Sequence, residues 1–420
     1  MLHLGRRVAA LAIVVATSVL AYAQSSPWPG VLDEHPAIQY AIRPTTDRVA
    51  ALNKALAGGE RHLQRDAQTG YLRSVLDALG VSVESQLLIF SKTGVQREYT
   101  GPRNPRAVYF DESVAVGYLP NAPAIEIAAH DPQQGVVFYT IDQATASPSF
   151  VRKTTCLACH VSHSTLDVPG LIARSNFVGD DGNVISQLGN TDVDHRTPHP
   201  DRWGGWFVTS AGEPAPYSQR AHEGNITFSA TGNTSNQIFV DWMDSAPQSR
   251  GYLSPESDIV ALLVFDHQVR AINLMTRLNW EGRVAGADAL SRGDIGPLRE
   301  LTNELADYLL FVGEMPPSVP LIPLKRFAER LEAKTPKDRT GRSFGQLDVT
   351  SRLLQYPCSY MVYSAAFDAL PPAVKQAIYH RMIAQLSSSG PRSALPRLGA
   401  DERRAILEIL RDTKPDFPLS

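Results

Sequence analysis

Cysteine is scarce: three in 420 residues. That excludes a disulfide-stapled scaffold, and a chain of this length buries a sizeable core without staples. No block of like charge stands out, and the formal net charge is only −3. Without a basic patch there is nothing to suit a phosphate backbone, so nucleic-acid binding is not expected. Glycine and proline, 29 and 30 residues, are at ordinary levels, which excludes collagen-like and low-complexity classes. A Gly-x-Ser-x-Gly elbow, a His-Glu-x-x-His helix and a Walker loop are all missing, so hydrolase and nucleotide-driven chemistry have no support. Internal repeats are also lacking.

What is present begins with an address. Arg6 and Arg7 precede an apolar run, Val8 to Leu20, and Ala21-Tyr22-Ala23 supplies small residues before Gln24. This pattern predicts a signal peptide over residues 1–23 and an exported chain. At about 13 residues the run is shorter than the roughly 20 a bilayer span needs, so no membrane span is expected in the mature chain. Loss of Arg6 and Arg7 takes the formal charge to −5.

In an exported chain the cysteines become informative. Two of them form Cys156-Leu157-Ala158-Cys159-His160, a CxxCH, and Cys358 stands alone in the apolar YPCSYMVYS, where it reads as an inert buried thiol. CxxCH is the attachment signature of haem c: both thiols add to the vinyl groups and the histidine ligates iron. On a helical turn the two cysteines lie one turn apart, matching the separation of the vinyls, and His160 turns under the iron. A zinc site lacks a second ligand pair, and a thioredoxin-like pair lacks its βαβ setting.

The stretch KTTCLACHVSHSTLDVPGLIARS resembles the haem segment of bacterial exported c-type cytochromes. With LLIFSKTGVQ, PRAVYF, GVVFYTID, DRWGGWFVTS, HEGN, DIVALLVFDHQ and QYPCSYMVYS, it is more closely similar to a family of exported proteins carrying a single CxxCH, over most of the chain from about residue 86. The resemblance implies haem c, export and electron transfer, and Met315 departs from the family pattern.

The expected fold class is α+β. Thr45-Thr46-Asp47 precedes an apolar-periodic run, Val49 to Leu56, that Gly58-Gly59 ends, which predicts a capped helix, and Tyr71 to Leu79 reads as a second helix stopped at Gly80. LLIF, AVYF, VAVGYL, AIEIAA and GVVFYTI, parted by turn residues, predict a small sheet of about five strands. Residues 24–150 then form an N-terminal α+β region, 151–256 an irregular haem-binding segment with strand-like islands at LIARSNFV and GGWFVTS, and 257–420 a helical region completing the haem pocket.

The sixth iron ligand separates a carrier from a catalyst. Three candidates stand in order. His267 lies on the apolar stripe of a long helix, where a core histidine satisfied by a backbone carbonyl is the alternative. His222 lies in a glycine-containing loop, with an exposed loop histidine as its alternative. Met315 lies in a Met-Pro sequence after a helix, where an ordinary helix-exit methionine is the alternative. Arg174 and Arg202 are candidates to pair haem propionates, and Trp203 and Trp206 to cover a ring edge; a turn with core aromatics is the alternative, and the favoured one. His163 reads as a solvated group. Asp192, Asp194, His195, His199 and Asp201 crowd one loop, which polar turns do more often than metal loops.

The expectation is thus a periplasmic monohaem c-type cytochrome exchanging single electrons with an unidentified redox partner protein or small-molecule donor or acceptor. The alternative is a haem enzyme, a peroxidase or substrate oxidase with an open or labile sixth position, to which the size of the chain gives weight. A haem-bearing sensor module is a third class.

Overall fold

A computed structural model describes residues 32–179, 181–208, 251–286, 290, 295–317, 320–388 and 394–418. Residues 1–23, read above as a signal peptide, and His222 lie outside them.

The first helix, α1 (Arg48–Ala57), starts where Asp47 Oδ1 accepts from the backbone N–H groups of Val49 and Ala50, at 2.8 and 3.0 Å. The second, α2 (Leu72–Leu79), buries Leu72, Val75, Leu76 and Leu79, one apolar stripe at helical spacing. It stops at Gly80, whose φ of 66° is the left-handed cap that glycine adopts without penalty.

The five expected strands form: β1 (Leu87–Ile89), β2 (Arg106–Phe110), β3 (Val114–Tyr118), β4 (Ala124–Asp131) and β5 (Gly135–Asp142). Two short edge strands extend the sheet, β6 (Val151–Arg152) on β5 and β9 (Trp206–Phe207) on β1, while β7 (Arg174–Asn176) and β8 (Asn190–Asp192) pair with each other. The seven-stranded sheet is antiparallel with order β6-β5-β4-β3-β2-β1-β9. The segment expected to be irregular therefore closes the sheet at both edges.

Side chains alternate across a strand, so each face has its own core. Tyr109, Val116, Ile127, Val137 and Tyr139 pack on α1 and α2. Val108, Phe110, Ala115, Ala128 and Phe138 face the other way, onto the helical region.

That second face is covered by α4 (Ile259–Ala285), the next α-helix among the described residues after the short turn α3 (Leu157–His160). Asp258 caps α4 at Val260 and Ala261. At 27 residues it runs about 40 Å, and it is buried along most of its length, polar residues such as Asp266, His267, Gln268 and Asn273 included. Phe265 meets Phe110 edge-on at 5.0 Å, and Thr276 lies against the β4–β5 turn, where a Cβ on Gly135 would come within 2.4 Å of Thr276 Cγ2. Around α4 stand α5 (Arg299–Leu309), α6 (Lys325–Lys334), α7 (Ala365–Asp368), α8 (Pro372–Ser387) and α9 (Ala400–Thr413). One core runs from Leu87 to Phe417, joining sheet and helices. The fold is α+β, in three layers of helix, sheet and helix.

Candidate functional site

The CxxCH follows the sheet edge. Lys153 N–H donates to Phe138 O at 2.8 Å, extending the β5–β6 pairing by one residue, and the chain then turns through Thr154–Cys156 into α3. The expected helical turn is present. Cys156 is half-buried, Cys159 is exposed, and neither is in a disulfide. Burial pushes the Cys156 thiol up, and the Glu126 carboxylate adds to the effect. Leu157 packs against both cores and anchors the turn.

His160 is held on two sides. Its ring lies 4.6 Å from the Phe138 ring, tilted by 44°. Its Nδ1 is 2.8 Å from Gly170 O. A carbonyl only accepts, so Nδ1 carries the proton and the lone pair of the neutral ring sits on Nε2. Burial holds the ring's pKa below the usual histidine value, which favours that neutral form. Among the described residues Nε2 makes no hydrogen bond.

The acceptor is fixed in turn. Gly170 N–H donates to His160 O at 3.0 Å, and Asn273 of α4 brackets Leu171, accepting from its N–H at 3.3 Å and donating to its carbonyl at 2.9 Å. A Cβ on Gly170 would fall 2.2 Å from Asn273 Oδ1, so this close approach requires glycine.

The other residues singled out in the sequence are distributed as follows. His163 is exposed in a short turn. Arg174 ties the β7–β8 hairpin to that turn: its Nε donates to Asp192 at 2.7 Å and its Nη2 to Ser164 Oγ at 2.6 Å. Trp206 Nε1 donates to Arg174 O at 2.9 Å. Arg202, by contrast, is sealed in the core at 1% exposure; its Nε donates to Thr197 O and its Nη1 stands 3.8 Å from Asp266 of α4. It serves the packing of its own loop on α4 and is not offered to a ligand at the surface.

His267 requires a correction. Its ring is fully buried, with Nδ1 2.8 Å from His195 Nδ1 and Nε2 2.7 Å from Ser359 Oγ. Phe311 stacks on it at 4.3 Å and Tyr308 at 4.9 Å. Both nitrogens are engaged, which leaves no lone pair for a metal. The expected core alternative had a backbone carbonyl as partner; the partners are two side chains instead. Met315, at the exit of α5, is partly exposed; its N–H donates to His195 O at 3.0 Å, and it lines a cavity of about 640 Å³ with Glu314 and Arg352. The polar loop does not converge on a centre: Asp192 pairs with Arg174, Asp194 with Arg196, and His195 and His199 are buried. Among the described residues no group of three or more His, Cys, Asp or Glu side chains is placed to hold a metal ion.

The His195–His267–Ser359 chain was not legible in the sequence, because its members are 72 and 92 residues apart. The role of Gly170 was equally hidden, with Pro169-Gly170 reading only as a turn.

No family model, no curated protein and no solved structure matches this chain. The functional reading rests on the site's own chemistry.

Proposed function

We propose that the chain is an exported, periplasmic monohaem c-type cytochrome that transfers single electrons. Cys156 and Cys159 would be the thioether anchors and His160, through Nε2, the proximal iron ligand. The observation that carries this reading is the His160 Nδ1 contact to Gly170 O at 2.8 Å. It selects the tautomer an iron ligand needs and fixes the ring plane, which is how partners behind a ligating imidazole act in general. Two unpaired thiols one helical turn apart stand on the same turn.

Haem c, when bound, supplies a one-electron iron couple whose potential follows from the axial ligands and burial. The chain's own residues do the rest. Phe138 packs on the imidazole, Gly170 holds its proton, and Asn273 keeps Gly170 in place. For the distal position His222 and Met315 remain as candidates. The electron donor and acceptor are a partner protein or a small molecule outside the chain.

The test is absorption spectroscopy of protein made with a c-haem maturation system, oxidised, reduced, and reduced under carbon monoxide. The carrier reading expects a sharp low-spin reduced spectrum that carbon monoxide leaves unmoved. A high-spin spectrum, or ready carbon monoxide binding, favours a haem enzyme with an accessible iron, and a colourless product contradicts both.

A further inference from the structure

A second site lies on the Phe110–Gln268 side of α4. A cleft of about 350 Å³ opens between the end of β2, the turn Val83–Ser85, α6 and the turn Tyr360–Tyr363. That is within the size range of small-molecule sites.

Its floor is apolar and largely aromatic. Phe110 and Phe327 lie with ring centroids 6.3 Å apart, and Val264, Tyr360 and Tyr363 complete the lining. The polar groups beneath are satisfied from within: Tyr360 hydroxyl donates to Gln268 Oε1 at 3.0 Å, and Gln268 Nε2 donates to Asp111 O at 2.6 Å. What the floor presents to an occupant is ring surface.

The mouth is unevenly charged. Three cations line it, Arg48, Arg330 and Lys334, against Asp111 and Glu112. Both acids are already committed. Asp111 Oδ1 accepts from the N–H groups of Ser113 and Val114 at 3.0 Å each, its Oδ2 takes Arg48 and Lys334, and Glu112 takes Lys334 at 3.4 Å. The nearby Glu84 is held by Ser82 and stands 3.8 Å from Arg326. Arg330 is exposed and makes no hydrogen bond or close ion pair among the described residues, although its charge also acts on the Glu84 carboxylate from farther off. Arg48 also keeps a buried Nε without a partner on the cleft wall.

We propose that this cleft binds a small organic anion with a flat apolar body, an aromatic carboxylate in class, its charge on Arg330 and its body against the Phe110–Phe327 floor. A neutral aromatic would forgo the exposed guanidinium. A compact inorganic anion would forgo the rings. The inference does not depend on the haem reading.

The test is isothermal titration of the full chain with 1-naphthoate and its neutral isostere 1-naphthamide. The expected result is one saturable site that prefers the carboxylate by about tenfold or more, with a preference that weakens at high salt. Arg330→Met, a change at an exposed position, abolishes the preference. Lys334→Met, whose ammonium is already spent on two carboxylates, reduces it less. The proposal is overturned if the amide binds as tightly as the acid, if Arg330→Met binds naphthoate like the wild type, or if neither probe saturates below about 10 mM.

Discussion

His160 and Gly170 hold each other twice, through the ring Nδ1 to the glycine carbonyl at 2.8 Å and through the glycine N–H to the histidine carbonyl at 3.0 Å. The nine-residue loop they close has the thiols' helical turn at one end and the α4 clamp at Asn273 at the other. Orientation of the imidazole therefore depends on a backbone contact that no side-chain substitution at Gly170 can leave undisturbed.

Gly170→Ala tests that dependence. Its Cβ would meet Asn273 Oδ1 at 2.2 Å, so the substitution is expected to cost about 1–3 kcal/mol in chemical denaturation and to lower the yield of haem-loaded protein. Asn273→Ala added to it relieves the clash, so the double variant is expected to be more stable than the sum of the two single losses. Simple additivity would show that the contact is not strained.

The two thiols give distinct signatures. Cys156→Ala and Cys159→Ala each leave one vinyl group unreacted, which moves the pyridine haemochrome band of the product to longer wavelength. The double variant is expected to lose covalent haem. Retention of covalent haem in the double variant would place the attachment elsewhere.

His267 is expected to matter for stability and not for iron. His267→Gln leaves the His195 and Ser359 groups short of a partner in the core, a loss of about 2–4 kcal/mol, while the reduced spectrum of the loaded protein is unchanged. A switch to a high-spin spectrum in this variant would contradict the assignment of both ring nitrogens to protein partners.

The same pair gives a pH dependence. Burial lowers His195 to about 3 and pushes His267 well below the usual histidine value, so both are neutral when folded. On unfolding they recover an ordinary value near 6.5, and the unfolded chain binds more protons below that pH. Their contribution is therefore complete above about pH 6.5 and is lost as pH falls, by up to about 1.4 kcal/mol per pH unit for each ring. Asp266, raised to about 8 by burial, and Glu314, raised to about 7, act in the opposite direction by holding protons in the folded state, so the total profile is a balance. The clean observable is a difference: between pH 6.5 and about 4, the wild type loses stability relative to His195→Phe. Parallel curves would mean that the pair does not titrate with unfolding.

Local chemistry made much of this fold legible. Asp47 and Gly80 marked helix ends, and the alternation in GVVFYTI and AIEIAA marked paired strands, because caps and pleats act within a few residues. The edge strand β9 was marked within GGWFVTS, but β6 was not: two residues carry no period, and it forms only because a sheet edge is there to pair with. The CxxCH turn was legible for the same local reason as the caps. The His195–His267 pair and the guanidinium of Arg202 were not, since burial of polar groups on α4 is decided by segments far away in sequence. An imidazole on an apolar stripe looks alike whether it faces a metal, a carbonyl or another imidazole.

Haem attachment is read directly by mass spectrometry of tryptic peptides from protein matured in the periplasm of a host with a c-haem assembly system. The account predicts haem retained through acid–acetone extraction and carried by the peptide containing Cys156 and Cys159. A correctly processed protein whose Cys156–Cys159 peptide carries no haem would contradict it.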